Sequence, residues 1–417
     1  MVRALTFLLA AAGSLWAQAT AEQLNLAFNQ PLFSPTETLW QEDPAAVAKR
    51  LAWRRESQTS DSSSYRYYPP PEERVLGARP FSLVLYGSND KASAVSMVFA
   101  NKGDVAQLLE ISGDASKSRQ QMETNKLQRD YKRFIRQDAA TIEAKLTELL
   151  GPPKADTFGN SRDTREKVKR WDWNGTSFLL ASPQDEYVAL RLMPQEVADG
   201  QSVERISDAE RKAKLTSHLE KRPNGDVVIK EIPMVDQGPK GYCVPATWER
   251  VLRYMGIPAD MYVLAMSGNT DFGGGTSVQQ IAAGVSNLVQ RYGCRLTNDS
   301  GRLDVRKVAR SIDRGLPLMW SMYSLDEVNA LLNTRTRDRA AMTDPQQWSK
   351  ELQPFRKAAR EFQGRRDGAH MCMIIGYNAA TNELAVSDSW GPQFAERWIT
   401  VEEANAISGG QFVIVEY

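Results

Sequence analysis

The sequence predicts an α+β protein built in two units, residues 75–196 and residues 226–417. Three observations carry that prediction. Strand patterns punctuated by turn residues flank one long helical period between residues 75 and 196. An amphipathic helix begins at Cys243, well upstream of apolar strand patterns at 316–323 and 370–377. A chain of 417 residues is also long enough for two or three domains, each with its own core.

The chain opens with "MVRALTFLLAAAGSLWAQATAEQ", which joins Arg3, an apolar run from Ala4 to Trp16 and the small-residue exit Ala17-Gln18-Ala19. This is the pattern of a cleavable export signal over residues 1–19, and it predicts a mature chain starting near Thr20 in a secreted or periplasmic setting. Read instead as an N-terminal core helix, the stretch would leave the cleavage-site chemistry idle. No later segment reaches the ~20 apolar residues of a membrane span, so no stable membrane insertion is expected. The balance of 52 Lys and Arg against 51 Asp and Glu leaves a net charge of +1, so nothing draws the chain to nucleic acid.

Residues 20–74 lack a packing period. The stretch 57–74, "SQTSDSSSYRYYPPPEER", reads as a linker or mobile loop. Next come two strand patterns, "FSLVLYGS" and "ASAVSMVFANKG", which meet at a turn over Gly87-Ser88-Asn89-Asp90. A helix from about Ser116 to Leu150 places Leu127, Tyr131, Ile135, Ile142, Leu146 and Leu149 near one face, and Gly151-Pro152-Pro153 stops it. Three further strands, "KVKRWDW", "TSFLLAS" and "EYVALRLMP", are separated by Asn174-Gly175 and by Pro183-Gln184-Asp185. The 75–196 unit has neither histidine nor cysteine, so it assembles no catalytic set. It reads as an accessory or substrate-docking domain, or as an inhibitory pro-domain over a cleft.

Residues 197–225 connect the units through a helix from Ser207 to about Arg222, capped by Ser207-Asp208-Ala209-Glu210, with His218 solvated on it. The second unit, 226–417, carries the chemistry. In "VDQGPKGYCVPATWERVLRYMG", the residues Val244, Trp248, Val251, Leu252 and Met255 share one helical face, Pro245 suits the first turn and Gly256 ends the helix. Cys243 thus sits at the positive end of a helix dipole, which favours thiolate over thiol.

A thiolate nucleophile needs a proton-transferring neighbour, and His370 heads the apolar strand "GAHMCMIIGYN". As a bland alternative it would be a satisfied core histidine. The following "NELAVSDSWG" forms a hairpin partner that returns Asp388 toward His370, where a carboxylate accepts the second imidazole N–H and fixes the tautomer. Cys243, Cys294 and Cys372 cannot all pair within one chain, so at least one thiol stays free, and a Cys294–Cys372 bridge is left open. With two histidines and no CxxC, a metal site is not expected.

These residues resemble the papain-like cysteine peptidase superfamily. The match lies in "QGPKGYC" with Gln237 six residues before Cys243, in His370 at the start of an apolar strand, and in "DSWG" at 388–391. The opening segment is most similar to the bacterial group related to bacteriocin-processing, double-glycine leader peptidases, whose third residue is typically aspartate. Papain has an asparagine in an Asn-Ser-Trp-Gly motif, so this chain keeps the Ser-Trp-Gly context with Asp388 in place of Asn. The resemblance covers about residues 228–417. It implies a helix bearing the nucleophile packed on a twisted, mostly antiparallel sheet, with a separate α+β domain preceding it in this chain. It also implies Cys243 as nucleophile, His370 as base and acid, Asp388 as orienter and Gln237 as oxyanion donor beside the Cys243 N–H. Trp390 would shield the His370–Asp388 bond.

Two further segments bear on specificity. "TDFGGGTSVQQIAAGV" brings Gly274 and Gly275 before a helix, where glycine lets a substrate backbone approach, although a capped flexible loop has the same pattern. The insertion 324–366 carries Arg335, Arg337, Arg339, Arg356 and Lys357, as a lid, an acidic-substrate surface or, preferably, a solvated helical face. The expected activity is hydrolysis of a peptide or isopeptide bond in a peptide or protein substrate through a Cys243 thioester, with no metal or organic cofactor. A transglutaminase-like acyl transfer and a catalytically silent binding module are the alternatives.

Overall fold

A computed structural model describes residues 19–107, 117–159, 165–200, 206–271 and 275–417. The expected signal over 1–19, except Ala19, lies outside the described residues, as do the start of the long helix at Ser116 and Gly274. Among the described residues the paired strands form two sheets, every pairing is antiparallel, and the helices pack on them, so the chain is α+β.

The first unit comprises α1 (Ala21–Phe28), α2 (Pro44–Leu51), β1 (Arg54–Gln58), β2 (Ser62–Tyr67), β3 (Ser82–Ser88), β4 (Lys91–Asn101), α3 (Lys102–Gln107), α4 (Lys117–Leu150), β5 (Lys154–Phe158), β6 (Glu166–Trp173), β7 (Thr176–Ala181), β8 (Tyr187–Pro194) and α5 (Gln195–Gly200). Its strands run β1-β2-β3-β4-β8-β7-β6-β5. The buried face of α4, with Tyr131, Ile135, Ile142 and Leu146, covers this sheet together with Leu24, Phe28 and Trp40. Gly151 ends α4 with a φ of +83°, a left-handed position that favours glycine.

The reading of 20–74 as a poorly patterned linker is corrected. Thr20 caps α1 through a capping box with Gln23, Asp43 caps α2, and β1 and β2 form a hairpin at the sheet edge. The hairpin lacks an apolar period because part of what it buries is polar. Glu56 accepts hydrogen bonds from Ser64 Oγ at 2.9 Å and Arg66 Nε at 2.5 Å, while Arg66 NH1 donates to Ser82 Oγ at 2.9 Å. Buried polar groups of this kind are tolerated because Glu56, Ser64 and Arg66 partner one another.

The second unit comprises α6 (Asp208–Ser217), β9 (Leu219–Lys221), β10 (Asp226–Ile229), α7 (Cys243–Tyr254), α8 (Met261–Ser267), α9 (Val278–Arg291), β11 (Arg295–Ser300), α10 (Val305–Ile312), β12 (Leu318–Tyr323), α11 (Asp326–Arg339), α12 (Pro345–Glu351), α13 (Gln353–Ala358), β13 (Ala369–Asn378), β14 (Glu383–Ser387), β15 (Arg397–Thr400), α14 (Val401–Ile407) and β16 (Ser408–Glu416). Its strands run β11-β16-β12-β13-β10-β9, with β14 on β13 and β15 on β14. The apolar face of α7 seats Trp248, Val251 and Leu252 in the same core as Trp320 and Ile374.

Three local expectations change. The connecting helix stops at Ser217, because residues 219–221 leave it to pair with β10. His218 is half-buried rather than solvated, its ring 5.6 Å from that of Tyr254. The insertion arginines are largely structural. Arg335 meets Glu403 at 2.8 Å, Arg339 meets Asp226 at 2.6 Å and Glu383 at 3.0 Å, and Arg356 donates to Thr381 O at 2.5 Å. Arg337 and Lys357 stay exposed. Helix packing against β10, β14 and α14 explains the difference, since a buried guanidinium needs fixed acceptors that a solvated face does not.

Cys243, Cys294 and Cys372 are all free, so the possible Cys294–Cys372 bridge is not formed. Among the described residues no helix is long and apolar enough to cross a membrane.

Candidate active site

Cys243 is the first residue of α7, half-buried, with Tyr242 as the N-cap. Helix α7 is tied to β13 beside His370, because Thr247 Oγ1 donates to Met371 O at 3.1 Å. One turn of helix from the cysteine therefore fixes the backbone that carries the imidazole.

His370 Nε2 lies 2.9 Å from Asp388 Oδ1, and both side chains are buried. With Nε2 engaged there, the other ring nitrogen, Nδ1, is left for the hydrogen bond that joins His370 to the Cys243 sulfur. Burial raises the thiol's pKa, but the hydrogen bond and charge of His370, helped by the backbone amides of Met371 and Val244, outweigh it and hold Cys243 below the ordinary value. Burial likewise lowers His370, yet Asp388 and Cys243 raise it to about 9. Burial works against the Asp388 charge too, and His370 and Arg397 overcome it, so the carboxylate titrates below its ordinary range. All three directions favour charge separation between the thiol and the imidazole, backed by a carboxylate.

Asp388 follows β14 directly, and its N–H donates to Phe394 O at 3.0 Å across the turn at 388–394. That turn lays Trp390 on His370, with ring centroids 4.6 Å apart and planes 28° from parallel. Gln237 enters from the opposite loop. Its backbone N–H donates to Ser389 O at 2.9 Å and its Nε2 to Lys240 O at 2.9 Å. Gln237 Oε1 is buried with no hydrogen-bond partner among the described residues. The expected oxyanion donor is thus docked on the Asp388 turn, with one of its two amide hydrogens committed to the loop's own carbonyl.

Gly275 lies beside the same loop, its N–H directed at Gly241 O at 3.4 Å, with a φ of +96° that calls for glycine. Ser277 caps α9, and the space where a Gly275 side chain would stand is open. Gly274 lies outside the described residues.

Several residues that build the site were not singled out in the sequence. Arg250, seven residues after Cys243 on α7, is fully buried and reaches two segments at once. Its Nε donates to Pro233 O at 2.9 Å, its NH2 to Ser387 Oγ at 2.6 Å, and its NH1 lies 3.5 Å from Ser389 Oγ. Burial lowers its pKa to about 10, so it remains cationic at neutral pH. The sequence held no readable signal for it, since Arg250 lies well off the apolar face of Val244, Trp248, Val251, Leu252 and Met255, where a charged side chain reads as solvated. Arg397 on β15, which donates to Asp388 Oδ2 at 2.6 Å, had none.

The first unit supports the loop before Cys243. Glu56 Oε1 accepts from Asp236 N at 2.7 Å, Ser57 Oγ from Met234 N at 2.9 Å, and Tyr68 OH donates to Asp236 O at 2.6 Å. The Tyr242 hydroxyl accepts from Gly103 N at 3.2 Å, and a Cβ at Gly103 would fall 2.6 Å from the Tyr242 ring. Lys240 Nζ, fully withdrawn from solvent, meets Asp104 Oδ1 at 3.2 Å and faces the rings of Tyr68 and Tyr262. Among the described residues no three His, Cys, Asp or Glu side chains group as a metal site.

Residues 229–411 match the model of a family described as "Peptidase_C39 like family", which supports a cysteine peptidase family for this part of the chain. Among solved structures, the peptidase domain of Streptococcus ComA, a bi-functional ABC transporter involved in a quorum sensing pathway, shares 12% identity at a TM-score of 0.28, covering 44% of this chain and 96% of that one. A cysteine-rich secretory protein from Staphylococcus aureus subsp. aureus Mu50 shares 6% identity at a TM-score of 0.20, covering 70% of this chain and 86% of that one. Both TM-scores are too low to establish a shared fold. No curated protein matches the chain.

Proposed function

We propose that the chain is an exported cysteine peptidase whose papain-like C-terminal unit hydrolyses peptide or isopeptide bonds through Cys243. The observation that carries this reading is the set of half-buried Cys243 at the N-terminus of α7 with buried His370 and Asp388, the thiol held low and the imidazole high. The family match over 229–411 supports it independently.

In this reading the Cys243 thiolate attacks the scissile carbonyl carbon, forming a C–S bond and placing the electron pair on oxygen. The Cys243 backbone N–H and the second amide hydrogen of Gln237 receive that oxyanion. His370 then gives its proton to the leaving nitrogen as the C–N bond breaks, which leaves an acyl-thioester and a neutral imidazole. Water attacks the thioester, His370 takes the proton, the acid departs, and the thiolate–imidazolium pair is restored. Asp388 holds the imidazole orientation throughout, Trp390 covers the His370–Asp388 bond, and Gly275 flanks the approach of the substrate backbone. In this reading the first unit acts as an accessory support of the 234–242 loop, since its contacts with the second unit include Met234, Asp236, Lys240 and Tyr242.

The test is the pH dependence of Cys243 alkylation by iodoacetamide in the full mature chain, with His370→Ala as control, followed by peptide-library cleavage with Cys243→Ala as blank. A thiolate well below the free-thiol value of about 8.5, lost in the control, and cleavage lost in Cys243→Ala are expected. Free-thiol labelling in both proteins would overturn the reading. A low thiolate without hydrolysis but with amine incorporation would assign the acyl-transfer alternative, and neither activity would leave a silent binding module. N-terminal sequencing of protein recovered from outside the cytoplasm tests the export.

A further inference from the structure

Asp388 has two carboxylate oxygens and two cationic partners. Oδ1 lies 2.9 Å from His370 Nε2, and Oδ2 accepts from Arg397 NH2 at 2.6 Å. Arg397 is itself held from α11, where Asn333 Oδ1 accepts from NH1 at 3.0 Å and Asn329 Oδ1 from NH2 at 3.1 Å. Its guanidinium also faces the rings of Trp390 at 5.4 Å and Phe394 at 5.2 Å. The 324–366 insertion thereby reaches the catalytic set through one side chain.

A neutral asparagine can hold an imidazole by accepting one hydrogen bond. A buried carboxylate in the same place adds a full negative charge, which opposes a thiolate nearby and makes the imidazolium reluctant to release its proton. The ionisable and charged groups facing this centre are Cys243 and Arg250 from α7, His370 and Cys372 from β13, and Arg397 from β15. Helix α11 adds only neutral amides. Arg250 binds neutral oxygens flanking Asp388, whereas Arg397 binds the carboxylate itself. Thiolate, imidazolium, carboxylate and the Arg397 guanidinium form two anions and two cations, and the Arg250 guanidinium beside Ser387 and Ser389 is a further cation that does not touch the carboxylate.

We propose that Arg397 is a positioning residue for the peptidase reaction: it neutralises Asp388 from the far side, so that a carboxylate orients His370 as a neutral amide would, and α11 holds it there. The inference rests on the thiolate–imidazolium reading of the site. It ties the insertion to the reaction centre instead of to substrate capture, with Asn329 and Asn333 as the contact points.

The experiment again follows Cys243 alkylation by iodoacetamide against pH in the full chain, so it needs no substrate. In Arg397→Met the apparent thiolate pKa should rise by about one unit, the lower end of the effect of removing one charge at this range. Arg397→Lys keeps the charge and should titrate as the unmodified chain does. Adding Asp388→Asn to Arg397→Met restores charge balance and should bring the titration back, an outcome that a purely structural arginine would not give. Asn333→Asp, at an exposed position, places an anion on the far side of Arg397 and should produce a smaller rise even if Arg397→Met does not fold. An unchanged titration in Arg397→Met, or in Asn333→Asp where that variant alone folds, overturns the proposal while leaving the proposed function intact. A free-thiol titration in the unmodified chain removes both.

Discussion

Lys240 and Asp104 meet at 3.2 Å across the junction of the two units, the ammonium without solvent exposure and the carboxylate nearly so. Lys240 precedes Cys243 by three residues, and its carbonyl accepts from Gln237 Nε2. One lysine thus joins the first unit's α3 to the loop expected to form the oxyanion site, and burial pulls its pKa below the ordinary value while Asp104 opposes the fall.

Removing one partner of such a pair leaves a buried charge uncompensated, at a typical cost of ~3–5 kcal/mol, whereas replacing the ion by an apolar group of similar shape costs far less. Asp104→Ala is therefore expected to destabilise the chain strongly, and a double variant with Lys240→Met added should recover much of the loss. Urea unfolding midpoints check this. Equal losses in both variants would show that the pair itself is not the origin.

Gln237→Ala should lower kcat by ~10²–10³, the usual cost of one oxyanion donor, while the alkylation rate of Cys243 stays unchanged. Parallel peptide cleavage and iodoacetamide labelling separate the two quantities. A matching fall in labelling would mean that the substitution had disordered the loop.

The raised His370 value of about 9 implies a pH-dependent stability with a defined sign. The folded state holds the proton more tightly than the unfolded chain, whose histidine titrates near ~6.5. The stabilisation is fully present below that value and is lost as pH climbs through about 9. Cys243, held below the ordinary thiol value, acts in the opposite sense up to about 8.5, so urea midpoints of the unmodified chain should stay nearly level across most of this window. A decline should emerge in Cys243→Ala, where Asp388 still raises His370, and should be absent once His370→Ala is added.

Arg339 bridges Asp226 and Glu383 with little exposure, and so fastens α11 to β10 and β14. Asp226→Ala should cost ~3–5 kcal/mol, as for other broken buried pairs. If α11 loosens with it, the Cys243 titration should also shift, because the same helix holds Arg397. A destabilised variant with an unshifted titration would separate the two roles of the helix.

The elements most legible in the sequence were those built on apolar periodicity. The face of α7 from Val244 to Met255, the runs of β12 and β13 and the hairpin that returns Asp388 follow helical or strand spacing closely. What escaped was whatever the fold buries through polar chemistry. The β1–β2 hairpin looked like a linker because serines and Arg66 are matched to Glu56, a pairing set by distance in space and invisible as a period. Arg335 and Arg339 looked solvated for the same reason, since their acceptors lie at Glu403, Glu383 and Asp226, far away in sequence. Lys240 stood in plain view inside "QGPKGYC", yet nothing local announced that a carboxylate from α3 would meet it.

The two remaining thiols have a practical consequence. Cys372, within β13, and Cys294, after α9, are buried, and burial pushes both above the ordinary thiol value. A folded chain should therefore take up one equivalent of alkylating reagent quickly, and the other two of its three cysteines should react only when the second sheet opens. The slow labelling of Cys294 and Cys372 is then a clock for the breathing of the core, recorded in the same tube and with the same reagent as the titration of the active centre.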